Sequence, residues 1–465
     1  MADRADTAVV WFRRDLRVAD QPTFLAAADA ADRALALFVL DPALLEPAGG
    51  ARTTFLYRSL RALDEALGGR LLVVRGDPAD VVPRIADAIG ADSVHVAADF
   101  GPYGRRRDEA VEKGLVDAGR TLVRSGSPYA VAPGRVRKAD GEPFRVFTPF
   151  RRAWGEHGWR APAATDAGTV DWLDPAEVRG GPPESVVPDD EAVPADLPDA
   201  GEAAAQRQWT AFLADAVDRY GDERNRPDHE GTSRMSVYLK YGLVHPRTLL
   251  ADLSSRRTKS AEVYRTELAW REFYADVLFH RPDSARRNYD RAFDALPLAS
   301  GTAAQAAFEA WREGRTGYPI VDAGMRQLRE QAWMHNRLRM ITASFLVKDL
   351  HLPWWLGARH FMQLLVDGDL ASNQHGWQWT AGSGTDAAPY FRVFNPVTQG
   401  ERFDPDGDYV RRFVPELRGI PGKAVHRPWE LPGGPPDGYP GPIVDHSAER
   451  QEALDRYQRV KAARG

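Results

Sequence analysis

The sequence contains no cysteine. That absence excludes disulfides, thiolate metal sites, iron–sulfur clusters and a cysteine nucleophile together, and makes the cytoplasm the expected compartment. There is also no uninterrupted apolar run of bilayer length. The amino-terminal stretch MADRADTAVVWFRRDLR carries charge on both sides of a short apolar run, so neither a signal peptide nor a membrane span is expected. The Gly-x-Gly-x-x-Gly turn and the Walker-type phosphate loop are missing, so any nucleotide is held by another geometry. No residues have metal-ligand spacing; the scattered histidines, His335 included, read as structural, and no metal is expected. Nor is charge of one sign in excess. Lys and Arg number 61 against 66 Asp and Glu, a net charge of −5, which argues against a protein coated in nucleic acid but averages over any local basic surface.

What is present is enough for two cores: 465 residues, 43% apolar and 10% aromatic. The first part alternates apolar runs (Ala8–Phe12, Ala34–Leu40, Leu71–Arg75, Ser93–Ala97) with helix-period segments (Phe55–Leu67, Val81–Ile89), the rhythm of β-α units on a parallel sheet. The pattern breaks near Ala130, and Ala161–Asp199 is rich in Pro, Gly and Asp without a period, as in a connector. Beyond Gly201 helical periods dominate: Ala203–Arg219, Ser260–Phe279, Thr302–Arg312, Ile320–Glu330, Trp333–Asp349, Trp355–Asp367 and Ala448–Ala463. The expected architecture is therefore an α/β amino-terminal domain of Rossmann-like parallel-sheet type (1–130), a connector (131–200) and a mostly α-helical carboxyl-terminal domain (201–465).

Three strings there invite chemistry. Gly231–Ser236 places hydroxyls and Arg234 at a helix start, which suits an anion but equally an ordinary cap. Glu267, Trp270 and Arg271 share one helix face by their i, i+3, i+4 spacing, and an acid, a flat ring and a guanidinium suit a nucleobase. Asp367–Asn373 is a polar, glycine-containing segment followed by Trp377 and Trp379, where buried carboxylates need defined partners. A cationic or cofactor partner is implied.

Together with Trp11–Arg17, Gly317–Ala323, Trp333–Met340 and Gly384–Phe391, in this order along nearly the whole chain, these strings strongly resemble the photolyase and cryptochrome family of blue-light flavoproteins. The resemblance implies an antenna domain, a connector and a helical domain holding FAD. It implies that Tyr220, Thr232, Ser233, Arg234, Met235 and Ser236 hold the diphosphate and ribityl region. Asp367, Gly368 and Asp369 would lie against flavin and ribose, with Arg339 pairing Asp367 and Asn373 facing flavin N5. Glu267, Trp270, Asn336, Met340 and Trp379 match the residues lining the substrate pocket of class I cyclobutane pyrimidine dimer photolyases. Arg224, Arg271, Arg337 and Gln399 would hold the backbone of UV-damaged DNA. The rings would stack on a flipped dimer that is already poorly stacked in the duplex.

Asn336 and Met340 stand where (6-4) photolyases place histidines, and DASH-type cryptochromes also differ in this segment, so dimer repair by a deoxyribodipyrimidine photo-lyase is the expected activity. The alternative is a blue-light photoreceptor without repair. A monomer without an obligatory protein partner is expected. For the antenna, Phe38, Leu40, Arg52, Asp99 and Lys240 resemble the 8-hydroxy-5-deazaflavin type, while the glutamate typical of the methenyltetrahydrofolate type is absent from Tyr103–Arg107. Light-driven reduction of FAD in this family runs along three tryptophans. Trp377 and Trp354 match two of them, but Ala295–Gly301, where the third belongs, has none, leaving Tyr289 or Trp355 as substitutes, or else poor photoactivation with repair by chemically reduced FAD intact.

Overall fold

The computed structural model describes residues 5–179, 187–190, 192–386 and 392–462. Ala387–Phe391, the end of one family string, lie outside the described residues. Apolar runs form one parallel sheet of β1 (Ala5–Phe12), β2 (Ala31–Leu40), β3 (Leu71–Arg75), β4 (Ser93–Val96) and β5 (Thr121–Arg124), ordered β3-β2-β1-β4-β5. Val9 is in register with Leu35 on one side and Val94 on the other. β5 was not among the runs expected from the sequence. It is an edge strand with Thr121 and Arg124 exposed, so its apolar signal is short.

Side-chain alternation along the strands separates two cores. Val9, Trp11, Leu35 and Leu37 face the helices Pro78–Ala88 and Pro102–Asp117. Val10, Phe12, Ala36 and Phe38 face Pro22–Ala30 and Gly50–Ala66, and this core runs on into Tyr238, Leu239 and Tyr241 of the helical domain. A third core around Trp311, Leu328, Phe345 and Phe361 fills the carboxyl-terminal helices.

The segment Val9–Arg17 also clasps the two domains. Leu16 N–H donates to the Tyr241 carbonyl (3.2 Å), and Arg17 Nη1 donates to Gly242 O (3.1 Å). Gly242 is required there: its φ is +69°, and a Cβ would lie 1.9 Å from the Arg14 carbonyl oxygen. Glu202 accepts from the Val18 amide (2.7 Å), and Asp20 pairs with Arg247 (2.6 Å), so charges near the sheet are answered by charges on the helices.

Two helix expectations are corrected. Trp333–Asp349 is not one helix: Ala332 turns left-handed (φ +49°), His335 caps the helix Asn336–Ser344, and a π-helical turn follows over Phe345–Asp349. Burial and nearby arginines push His335 down to about 3, so its neutral Nδ1 accepts the Arg337 amide (3.2 Å). The helix expected to reach Asp367 ends at Leu364, freeing Leu365–Asp369 to turn before the helix Leu370–Ala381.

Candidate functional site

Between the helices Met235–Tyr241, Lys259–His280, Asn336–Ser344 and Leu370–Ala381 lies a cavity of about 480 Å³. Helical spacing builds its walls. Tyr264, Glu267, Arg271 and Tyr274 project along one face of the second helix, joined by Trp270; Asn336 and Met340 are four residues apart on the third; Asn373, Gly376, Trp377 and Thr380 follow the i, i+3, i+4, i+7 pattern on the fourth. Every residue expected to hold FAD lines this one cavity, as do the five expected around a substrate.

Charges are locally balanced. Arg339 donates to both oxygens of Asp367 (3.0 and 2.8 Å) and through Nε to the Met334 carbonyl (2.9 Å). Asp369 caps its helix at the Ser372 amide (3.0 Å) and pairs with Arg14 of the α/β domain (2.9 Å). Despite burial, Arg14, Lys240 and Arg271 hold its carboxyl well below the usual range. Lys240, desolvated and beside Arg14, is pushed down to about 7. Burial pushes the Glu267 carboxyl up, and Arg224 at 2.6 Å partly restores it.

Two observations bear on whether FAD fits. Gly376 sits mid-helix on the wall, and a Cβ built there meets nothing within 4 Å. The indole Nε1 of Trp333 is buried on the same wall without a hydrogen-bond partner, a donor awaiting an acceptor. With hydroxyls at Thr232 and Ser236, the Arg339–Asp367 pair, and aromatic rings, the donor set matches a large, polar and aromatic ligand. Ser233 itself is engaged with the Tyr264 hydroxyl (2.7 Å), and Arg234 lies over the Trp333 ring (4.6 Å) and pairs with Glu230 (3.0 Å).

The basic residues divide. Arg337 donates to Asn225 Oδ1 (2.7 Å) and covers Phe403; burial, with the charges of Arg224 and Arg402, pushes it down to about 10. Gln399 lies on the helix Pro396–Phe403, which also brings Arg402, a rim cation not singled out in the sequence. Arg271 is used otherwise than expected for a DNA-backbone contact: its guanidinium donates to the carbonyls of Pro128 (3.1 Å) and Leu239 (3.3 Å) and covers Tyr129, tying the end of the α/β domain to the helix. Glu272 does the same with carboxylate oxygens, accepting from the amides of Ala130 and Val131 and from Trp154 Nε1 (2.6 Å).

Trp270 stacks on Phe147 (3.6 Å, 8°) while lining the cavity, and Trp379 is half-buried on its wall. Of the antenna positions, Phe38 and Leu40 are buried core, Arg52 and Asp99 lie outside the cavity wall, and Lys240 lines the cavity itself while feeling the charges of Arg52 and Asp99. Missed in the sequence were Tyr264, Tyr274, Trp333, Gly376 and Thr380. The first two carried a signal, the same helical face as Glu267; Gly376 carried one in being a glycine inside the polar and aromatic string Asp367–Trp379.

A parallel-sheet domain clasped to a helical domain that encloses a partly aromatic cavity of about 480 Å³ defines a two-domain cofactor-binding protein. Residues 8–167 match the family described as DNA photolyase, and residues 264–459 match the FAD binding domain of DNA photolyase. The chain is 41% identical to a deoxyribodipyrimidine photo-lyase of Streptomyces griseus, covering 98% of this chain and 99% of that protein. Among solved structures it is similar to a bacterial class III photolyase from Agrobacterium tumefaciens (TM-score 0.88, 36% identity, 99% of each chain). It is also similar to a Synechocystis cryptochrome (0.87, 28%, 98% of this chain and 100% of that one). An archaeal photolyase from Sulfolobus tokodaii with two FAD molecules matches as well (0.84, 29%, 97% and 100%). The chain belongs to the DNA photolyase family. One of these solved structures is of class III, so the comparisons carry the family, and the class I placement rests on the motif residues alone.

Proposed function

We propose that this enzyme, of the deoxyribodipyrimidine photo-lyase kind, splits cyclobutane pyrimidine dimers in DNA under blue light. One observation supports this above others: Glu267, Trp270, Asn336, Met340 and Trp379 line the same cavity as the FAD-candidate residues Asp367, Asp369 and Asn373, so substrate and cofactor would share one enclosure. FAD, bound and fully reduced, supplies the electron on excitation. The protein's own work is to hold and shield. Trp270, backed by Phe147, and Trp379 offer flat surfaces for a flipped dimer. Asn336 offers an amide to pyrimidine edges, and Glu267 a carboxyl whose proton affinity burial has raised. Asn373, whose amide donates to the Ala358 carbonyl (3.1 Å), presents a neutral group rather than a charge to the cavity. Arg337 and Arg402 offer positive charge to DNA phosphates, with Gln399 on the same helix as Arg402 and with Arg224 on the cavity wall paired to Glu267 (2.6 Å).

The test is loss of cis-syn dimers from an irradiated oligonucleotide by chemically reduced holoprotein, under blue light and in the dark. Light-only loss is expected, with Glu267→Gln reduced at least tenfold; no loss in light overturns the reading.

For the antenna we infer a chromophore at the carboxyl edge of the sheet, where strand order reverses between β1 and β4 and where ligands of open α/β sheets bind. Arg52 and Lys240 supply the positive charge that an anionic deazaflavin needs, while Asp99 is already paired with Arg107 (3.3 Å). Release of folate, or of a second FAD, from purified protein would refute 8-hydroxy-5-deazaflavin.

A further inference from the structure

We propose that Trp355 is the surface end of the path that refills the cavity with electrons, standing in for the tryptophan that Ala295–Gly301 lacks; this rests on FAD being the cavity's ligand. Trp377 lines the cavity, and its six-membered ring lies flush against the helix Trp354–Leu364 at Gly357, where a Cβ would fall 2.1 Å from Cη2. Trp354 stands one turn earlier on that helix, about 4.5 Å along its axis. It is buried, and its N–H donates to Asn288 Oδ1 (2.9 Å), whose amide in turn donates to Asp294 (2.8 Å). That chain of dipoles, ending in a carboxylate, favours positive charge on the Trp354 ring. Trp355 follows at 6.0 Å, with its ring plane at 80°, and is 39% exposed.

Exposure is the property the last donor needs. An indole that has lost an electron is a far stronger acid than neutral indole. Where water reaches it, the N–H proton leaves and the charge cannot return; where it is buried, the positive charge is costly and recombines. Trp311 also touches Trp377 (6.1 Å), yet it is fully buried among Phe308, Phe361 and His360, with its N–H tied to the Thr342 carbonyl (2.9 Å). Tyr289 lies under the Arg281 guanidinium (4.8 Å), and a cation over the ring opposes loss of an electron.

The balance is simple. With FAD bound, the electron that it would take on excitation would come from Trp377, be replaced there from Trp354, and be replaced on Trp354 from Trp355. Trp355 gives its indole proton to water. An external thiol then returns one electron and one proton to Trp355, and two rounds, with solvent protons, complete reduction of the flavin.

The experiment is pulsed blue light on oxidised holoprotein with a thiol, comparing wild type, Trp355→Phe and Trp355→Tyr by transient absorption and electron spin resonance. Trp355→Phe is expected to keep its FAD content and its dimer repair when chemically reduced. Its yield of long-lived, deprotonated tryptophan radical should fall at least tenfold. Trp355→Tyr should restore part of the yield with a tyrosyl signature. An unchanged radical in Trp355→Phe with full FAD, or no tyrosyl signal in Trp355→Tyr, overturns the proposal. Trp355-dependent radical without dimer repair would sink the repair reading and uphold this one; purified protein without FAD would overturn both.

Discussion

Gly376→Ala separates a cavity built for a ligand from one left by imperfect packing. Gly376 occupies the middle of the helix Leu370–Ala381, where glycine costs about 0.5–1 kcal/mol relative to alanine. A Cβ there has negative-φ backbone and no atom within 4 Å, so the folded apoprotein incurs no clash. Without ligand, the substitution therefore stabilises by about 0.5–1 kcal/mol, which in a domain of this size raises the melting temperature by about 1–4 °C. With FAD the sign reverses, because the methyl enters the space the flavin would fill. Overpacking of this kind costs about 1–3 kcal/mol, and even about 1.4 kcal/mol is tenfold in affinity. The assays are thermal unfolding of apoprotein and flavin retained per chain after dialysis. A variant that melts higher and keeps its flavin as wild type does would refute the reasoning that Gly376 marks the cofactor's bed.

Three further outcomes follow from buried groups. Glu272→Ala leaves two backbone amides and the Trp154 N–H unpaired in the interior, at about 1–3 kcal/mol each, so urea unfolding should show a loss above about 3 kcal/mol, with Glu272→Gln intermediate. Gly242→Ala drives a Cβ into the Arg14 backbone at a left-handed position; neither side is a flexible side chain, and a loss of about 3 kcal/mol or more, measured by denaturant midpoint, is expected. Lys240, pushed down to about 7, binds its proton less tightly folded than unfolded, so its burial penalises the native state at pH 7 and the penalty fades as pH rises toward its ordinary value. Lys240→Met apoprotein should accordingly be more stable than wild type at pH 7, with the gap closing between pH 7 and 10.

Much of the site was legible because helices repeat: Glu267, Trp270 and Arg271 share a face in any helix, and Asn336 and Met340 do so likewise. The helix breaks near Ala332 and Leu364 were not legible. The sequence Trp333–Asp349 is apolar at helical spacing throughout, and only the left-handed turn at Ala332 and the neutral His335 cap divide it. Arg271 shows the same limit from the other side. An arginine beside a substrate wall reads as a phosphate ligand until the carbonyls of Pro128 and Leu239, over a hundred and about thirty residues away in the chain, are seen to occupy it.

The sequence by itself determined the absence of thiols, a parallel-sheet half, a helical half, and polar and aromatic strings in the order of a flavoprotein family. Periodicity and composition are local, and they survive without coordinates. Tertiary structure decided what those strings face. It turned Trp11–Arg17 into a domain clasp, exposed the empty space beside Gly376, and set Trp355 at the surface next to buried Trp354. Burial and contact between residues far apart in the chain create those roles, and neither quantity is a property of a short stretch of sequence.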